Sequence, residues 1–317
     1  MPPANNAFNR AVQKLVTDFS NTQPLYANSL ILTLFGDAVC AHGGSIWLGS
    51  LIKLVEPLGI NQRLVRTSVF RLTEKGILQS KQQGRRSFYS LTRRGFRQFS
   101  SADERIYRYH EAVWDGEWRL VFSALTELPG DVREQLKKEL KWLGFSRLAA
   151  GVYAHPTANL EEVGSMLGEL DLTDKVSLMQ ARSRDKQPLV TSGKLVDCCF
   201  NFDAMRDEYQ AFIDLFQPIL TAARKTTQYD DQLCFLLRSL LIHKFRRILL
   251  HEPELPHELV PPACLSHQLR EMTSELYKLI TLPAERYFLS LAESESGAMP
   301  PPGKLYYSRF GGLPGSS

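Results

Sequence analysis

A helix whose two ends are both marked in the sequence is followed at once by a predicted β-hairpin. The helix lies in INQRLVRTSVFRLTEKG, where Asn61 is a preferred N-cap residue and Gly76 is placed to end it. ILQSK and SFYSL then favour two short strands joined by QQGRR, with Tyr89 and Leu91 on one face of the second strand. A helix followed directly by a hairpin is compatible with few folds, and the two segments before the helix reduce the number of compatible folds further.

Two short helical segments precede this helix. The first, LILTLFGDAVCAHG, begins near Ser29 and ends at Gly43 and Gly44, while the second, IWLGSLIKLVEPLG, ends at Pro57 and Gly59. Short helices with tight glycine-containing links are typical of a helix-turn-helix. With the hairpin as its wing, the segment is predicted to be a winged helix-turn-helix.

The third helix and the hairpin carry most of the positive charge of this segment. At 100° per residue, Val65, Val69 and Leu72 share one stripe and the arginines lie on the opposite side. A helix in the major groove beside a hairpin on the phosphates would use such a surface. The predicted DNA-binding residues are Arg63, Arg66, Thr67, Arg71, Arg85, Arg86, Arg93 and Arg94.

The charge of the whole chain is distributed unevenly. The formal net charge is only +4, but the first 110 residues hold 15 Lys and Arg against 6 Asp and Glu, and the remainder is acidic. A basic segment in an otherwise acidic chain indicates a polyanionic partner for that segment. A solvated helix face and a strand edge protected by charge are the alternatives that stay open.

The stretch from Gly36 to Gly95 resembles the PaaX transcriptional repressors of phenylacetic acid catabolism. The resemblance is carried by Gly36-Asp37, WLGSL at 47–51, Val65-Arg66-Thr67 and Gly84-Arg85-Arg86-Ser87, and it continues to LYYSRFGG near the C-terminus. The resemblance implies a homodimer that binds palindromic double-stranded operator DNA and is released by phenylacetyl-CoA or a related aryl-CoA.

The middle of the chain alternates predicted strands and helices. RLVFSAL, LAAGVYAHP and KVSLMQAR are strand-like, and DVREQLKKELKWLG and NLEEVGSMLGEL separate them as helices. The pattern predicts a ferredoxin-like α+β domain. Because the resemblance implies a likeness to small CRISPR-associated nucleases here, Asp115 and Glu117 are considered as metal ligands, and a metal-dependent nuclease is one alternative function.

The last part of the chain is predicted to be helical from Phe202, with an N-cap at Asp230, a helix over 266–280 and a loop at ESESGAMPPPGK. A basic cluster in it is a candidate for the phosphates of a CoA ester, and an exposed helix face is the alternative. The cluster comprises His243, Lys244, Arg246 and Arg247.

We therefore expect an α+β multidomain protein with a winged helix-turn-helix at 1–110, a ferredoxin-like domain at 111–200 and a helical effector and dimerisation domain at 201–317. Common nucleophile, zinc-protease, dinucleotide and Walker motifs are missing, so we expect no catalytic or metal site and no cofactor. A CoA-ester enzyme remains a further alternative. No signal peptide or membrane-length apolar run is found, which predicts a cytoplasmic protein.

Overall fold

A computed structural model describes residues 6–22, 26–107, 114–123, 127–182, 188–200, 202–249, 252, 255–260 and 264–314. The fold is α+β, as expected. The chain forms two compact units: the first comprises Met1–Tyr109, Tyr209–Leu250 and Ser266–Ser317, and the second comprises His110–Glu208 and His251–Leu265. The three domain ranges expected from the sequence stay a prediction.

The first unit begins with helices and a three-stranded sheet. In chain order its first elements are α1 (Ala7–Ser20), α2 (Ala27–Leu34), β1 (Ser45–Trp47), α3 (Leu48–Val55), α4 (Gln62–Glu74), β2 (Leu78–Gln83), β3 (Arg86–Leu91) and α5 (Arg93–Tyr107). The helix of α2 continues as a π-helical turn over Phe35–Val39 and a 3-10 turn over Cys40–His42. The strand order is β1-β3-β2, with both pairs antiparallel.

The expected second helix was wrong over its first residues. Ile46 and Trp47 belong to β1 and pair with Tyr89 and Phe88 of β3, and the helix α3 begins only at Leu48. The physical reason is that Trp47 has an extended backbone, with φ −66° and ψ 136°, and that β1 pairs with β3, a strand far away in the sequence. Helical spacing of apolar residues cannot reveal such a distant partner.

The third helix and the hairpin have the expected positions. The Asn61 side chain accepts a hydrogen bond from the Leu64 amide at 2.9 Å, and Gly76 follows α4 with φ 65°. The strands are longer than expected and are joined by the two residues Gly84 and Arg85, where Gly84 has φ 60°. The register pairs Gln83 with Arg86 and Lys81 with Phe88, which places these side chains on one face of the hairpin.

The first unit is completed by helices from the C-terminal part of the chain. These elements are α9 (Phe202–Ala223), which enters the unit from Tyr209, then α10 (Asp231–Leu249), α11 (Ser266–Leu291), β8 (Glu293–Ser294), β9 (Gly297–Ala298) and α12 (Lys304–Tyr307). Asp230 caps α10 by accepting from the Leu233 amide at 2.8 Å, as expected. The expected loop at ESESGAMPPPGK was wrong in part, because β8 and β9 pair as an antiparallel hairpin within it.

The second unit contains a four-stranded antiparallel sheet. Its elements are β4 (Glu117–Phe122), α6 (Gly130–Trp142), β5 (Ser146–Ala149), β6 (Val152–His155), α7 (Leu160–Glu169), β7 (Ser177–Arg182) and α8 (Pro188–Cys199). The strand order is β5-β6-β4-β7. One cluster of buried side chains joins Val121 and Tyr153 to α6 and α7, and another joins Trp118 and Ala154 to Val196 of α8.

A buried arginine joins the N-terminal and C-terminal parts of the first unit. Arg238 on α10 is fully buried; its Nε lies 3.0 Å from Oδ2 of Asp37, which is also buried, and its Nη1 pairs with Oε1 of Glu285 on α11. Burial disfavours the charged guanidinium, but the carboxylates of Asp37 and Glu285 outweigh it and raise the pKa of Arg238 well above its ordinary value. Arg238 is therefore charged inside the core.

Further polar groups surround these carboxylates. The hydroxyls of Tyr107 and Tyr277 donate to Oδ1 of Asp37 at 2.6 and 2.8 Å, and the Tyr306 hydroxyl donates to Oε1 of Glu285 at 2.8 Å. Nη1 of Arg309 donates to the Asp37 carbonyl at 2.7 Å. We call Asp37, Arg238, Glu285 and these partners the buried network, which connects α5, α10, α11, α12 and the turn after α2.

Replacing Arg238 by Met is expected to lower the free energy of unfolding by about 3–5 kcal/mol, because it leaves buried carboxylates without a counter-charge. Urea denaturation followed by circular dichroism measures it. Arg224→Met is the matched control, since Arg224 pairs with Glu275 at 2.5 Å on the surface, where such pairs contribute about 0–1 kcal/mol. Equal losses in the two variants would contradict a dominant role for the buried network.

Acidification is expected to destabilise the first unit through His243. Burial, with smaller effects of Lys244, Arg246 and Arg247, lowers the pKa of His243 from 6.5 to about 4. The unfolded state therefore takes up the proton first, and stability is lost as the pH falls from 6.5 towards 4. The loss of stability through Glu285 occurs at lower pH, since Arg238 and His42 overcome the effect of burial and lower the pKa of Glu285 from 4.5 to about 2.

Melting temperatures recorded across this pH range should fall less steeply for His243→Gln than for the unchanged protein. Gln removes the titrating ring and keeps a polar side chain that can meet the Thr33 hydroxyl, which lies 3.4 Å from Nδ1 of His243. Parallel curves for the two proteins would show that other groups cause the acid sensitivity.

Candidate nucleic-acid interface

The outer face of α4 is cationic and exposed. Arg63, Arg66 and Arg71 are exposed, whereas Val65 and Val69 point into the core. Neither Arg63 nor Arg71 has a hydrogen bond or an ion pair from its side chain to another described residue. These guanidinium groups are therefore available to an external anion.

Two further residues complete this face. Thr67 is half-buried, and its hydroxyl donates to the Arg63 carbonyl within the helix at 3.0 Å. Phe70 is 61% exposed, although it is a large apolar residue. An exposed aromatic ring among arginines can contact a thymine methyl group in the major groove. The helical period puts Phe70 on the same side of α4 as the arginines, but only the observed exposure shows that nothing covers its ring.

The two arginines at the tip of the β2–β3 hairpin have different surroundings. Arg85 in the turn is exposed and has no hydrogen bond or ion pair from its side chain among the described residues. The guanidinium of Arg86 instead lies 4.5 Å from the centre of the Trp47 ring, and its Nη1 lies 2.5 Å from Oε2 of Glu293. Both side chains are at the surface, but Arg86 already has an anionic partner.

The start of α5 is fixed against the segment that follows α4. The Thr92 hydroxyl accepts from the Gly95 amide at 3.0 Å and donates to the Gly76 carbonyl at 2.6 Å. A Cβ on Gly95 would lie 2.3 Å from the Ile77 carbonyl oxygen, so this close approach requires glycine. Arg93 and Arg94 in the first turn of α5 are exposed.

All the predicted DNA-binding residues thus reach the surface, and Thr67 is the one among them that is half-buried. They are supplied by α4, the β2–β3 turn with the first residue of β3, and the start of α5. Guanidinium groups of this kind can bind phosphates and guanine edges. Their role in DNA binding stays a prediction.

The predicted effector residues do not form one surface. His243 is buried beside Thr33 and Phe19, whose ring centre lies 6.3 Å from its own. Lys244 and Arg246 are half-buried, and burial lowers the pKa of each side chain. Arg247 is exposed, with its guanidinium 5.9 Å from the centre of the Tyr26 ring. An effector role for these residues stays a prediction.

The carboxylates considered as metal ligands are engaged by arginines. Nη2 and Nη1 of Arg119 donate to Oδ2 and Oδ1 of Asp115 at 2.6 and 2.9 Å, and this hydrogen bonding lowers the pKa of Asp115 below its ordinary value. Glu117 lies 3.7 Å from Nε of Arg182. Among the described residues no group of three or more His, Cys, Asp or Glu side chains could hold a metal ion.

Within the same described ranges, none of the helices has the length and apolar character that crossing a membrane requires.

Three family models match the chain. They are described as PaaX-like protein over residues 26–95, PaaX protein central Cas2-like domain over 111–191 and PaaX-like protein C-terminal domain over 200–290. Together they include α4, the β2–β3 hairpin, the sheet of the second unit and most of the C-terminal helices.

Comparison with known proteins gives the same result. The chain is 35% identical over 294 residues to the Transcriptional repressor PaaX of Escherichia coli strain K12, covering 92% of each sequence. A solved structure, Uncharacterized protein Rv0674 from Mycobacterium tuberculosis, is 22% identical, with a TM-score of 0.48 over 75% of this chain and 88% of the other. On the family models and this identity, the chain belongs to the PaaX family.

Proposed function

We propose that this protein is a DNA-binding transcriptional repressor of phenylacetate catabolic genes that leaves its operator when phenylacetyl-CoA binds. The observation that carries the proposal is the exposed cationic face of α4 beside Arg85, in a chain 35% identical to a transcriptional repressor over 92% of its length. Residues at such a surface position a protein on phosphates and read bases. The protein acts in the cytoplasm and has no catalytic activity of its own.

The N-terminal segment is a winged helix-turn-helix in this proposal. Support comes from the order α3, α4, β2 and β3, and from the pairing of β1 with the hairpin. In this arrangement α4 enters the major groove and Arg85 meets phosphates next to it. The central part is a ferredoxin-like domain, supported by its β-α-β-β-α-β order and the strand order β5-β6-β4-β7.

Release from DNA follows from linkage. A homodimer on a palindromic operator needs its two α4 helices about 34 Å apart. An acyl-CoA that prefers a protomer arrangement with another spacing weakens operator binding, and DNA weakens its binding by the same factor. The C-terminal helical part supplies the effector and dimerisation surfaces in this proposal.

The described residues of the second unit do not favour the nuclease alternative, because Arg119 already holds the carboxylate of Asp115 with two hydrogen bonds. Incubation of the purified protein with duplex DNA and Mg²⁺ or Mn²⁺ tests the repressor proposal against the nuclease alternative. Cleavage that is abolished by Asp115→Ala would replace the repressor with an enzyme.

Arg71→Ala and Arg85→Ala are expected to weaken DNA binding in different ways. Loss of Arg71 from the α4 face should cost about 1–3 kcal/mol on a duplex that the protein selects from a random pool, and less on unselected DNA. Loss of Arg85 should weaken both alike and reduce the log–log salt slope by about 0.9. Fluorescence anisotropy at several salt concentrations measures both, with Arg224→Ala as the control.

A salt slope that Arg85→Ala leaves unchanged would show that the turn does not meet phosphates. Equal losses on selected and unselected DNA would restrict Arg71 to backbone contacts.

Phenylacetyl-CoA is expected to release the selected duplex from the protein. Titration into the complex should lower the bound fraction, and a fixed excess of DNA should raise the dissociation constant for phenylacetyl-CoA by the same factor. Free CoA and phenylacetate serve as separate controls. DNA affinity that is unchanged at saturating phenylacetyl-CoA would remove this effector from the proposal.

A further inference from the structure

An acidic hairpin from the C-terminal part of the chain is attached to the β2–β3 hairpin. We call residues 293–298, which contain β8 and β9, the acidic hairpin. Oε2 of Glu295 pairs with Nζ of Lys81, and Oε1 accepts from the Ser45 hydroxyl at 3.3 Å. Glu293 pairs with Arg86 at 2.5 Å. Both carboxylates of the acidic hairpin are therefore directed at cations of the segment proposed to bind DNA.

Both ends of the acidic hairpin are fastened to the N-terminal segment. Before it, the buried hydroxyl of Ser50 on α3 donates to the Leu291 carbonyl at 2.7 Å and accepts from the Glu293 amide at 3.1 Å. After it, the Gly303 amide donates to the Ala41 carbonyl at 3.0 Å. These hydrogen bonds to main-chain groups of Leu291, Glu293 and Gly303 hold the acidic hairpin beside β1 and do not depend on the ion pairs.

The orientation of Arg86 is set by two groups. The Trp47 ring lies under its guanidinium, and Glu293 faces its Nη1. Gly49 leaves room for this ring, because a Cβ there would lie 2.5 Å from atoms of Trp47. Arg85, its neighbour in the sequence, is in the turn and reaches none of these groups.

The carboxylate of Glu295 is held in its charged form. A hydrogen bond from Lys81 lowers the pKa of Glu295 below its ordinary value, and the Ser45 hydroxyl adds to this effect. A cation whose charge is cancelled by a paired carboxylate neutralises no phosphate, whereas an unpaired cation neutralises a phosphate and releases a counterion from the DNA. Lys81 and Arg86 therefore differ from Arg85 in what they can contribute.

We infer that Glu293 and Glu295 limit DNA affinity by competing with phosphates for Arg86 and Lys81. The inference rests on the proposed DNA-binding function. Exposed ion pairs of this kind are individually weak, but while one is intact its cation neutralises no phosphate and adds neither affinity nor salt dependence to DNA binding. The acidic hairpin is thus an internal competitor of the operator, separated from the last residue of α11 by Ala292 alone.

The double variant Glu293→Gln, Glu295→Gln tests this in the full-length protein. The probe is a 5′-fluorescein-labelled duplex of unselected sequence, with anisotropy recorded between about 50 and about 200 mM KCl. Two released cations should steepen the log–log slope by up to about 1.8, so that affinity falls about tenfold more than for the unchanged protein over this range. At the lowest salt the variant should bind more tightly.

The matched controls separate a local contact from a change of net charge. Glu275→Gln also removes a carboxylate that pairs with a surface arginine, Arg224, but it does not touch the β2–β3 hairpin. It should leave the slope unchanged. Arg86→Gln should weaken binding less than Arg85→Gln does and should cancel the gain of Glu293→Gln when the two are combined, which is a double-mutant cycle on one ion pair.

The pair of Lys81 and Glu295 provides a second, independent cycle. A slope in the double variant that equals the slope of Glu275→Gln, or is shallower than that of the unchanged protein, would overturn the inference. Additive effects of Arg86→Gln and Glu293→Gln would also overturn it. If the unchanged protein itself binds duplex DNA without salt dependence, the proposed function fails, and this result is distinguishable because no variant is needed to see it.

Discussion

The ionised contact of Arg238 with Asp37 and Glu285 is the constraint on which the first unit depends. A fully buried guanidinium is stable only with charges and hydrogen bonds around it, and here these come from segments more than 200 residues apart in the sequence. Asp37 follows α2, Arg238 lies on α10 and Glu285 on α11. The network therefore requires the N-terminal segment and the C-terminal helices to pack as one unit.

This joint core places acidic residues from the end of the chain beside the basic hairpin. α11 carries Glu285 in the network and ends at Leu291, whose carbonyl is bound by Ser50 of α3. Glu293 and Glu295 follow immediately and meet Arg86 and Lys81. A helix that stabilises the core thus also delivers the carboxylates that divide the surface cations into paired and unpaired groups. In the proposed repressor, α11 therefore contributes both to the stability of the first unit and to the limit on DNA affinity.

The second unit uses its charged residues differently. Arg119 holds Asp115 with two hydrogen bonds, also donates to the Pro156 carbonyl at 2.7 Å, and so fixes the start of β4 against β6. The carboxylate that a nuclease would use as a metal ligand has a structural role here. A likeness in fold to nucleases does not transfer their chemistry, because chemistry depends on the site residues. The family assignment and these contacts agree that binding, not cleavage, is the function to test first.

The sequence alone determined the local features of this protein, because caps, turns and the helical period depend on neighbouring residues. These features are the Asn61 and Asp230 caps, the glycine stop at Gly76 after α4, the β2–β3 hairpin and the cationic side of α4. Only the tertiary structure decided which charged side chains are available to an external partner. Arg238 is buried, His243 is buried, and Arg86 is paired while Arg85 is not. Each of these outcomes depends on residues far away in the sequence, and local residue type and spacing do not reveal which distant residues will be in contact.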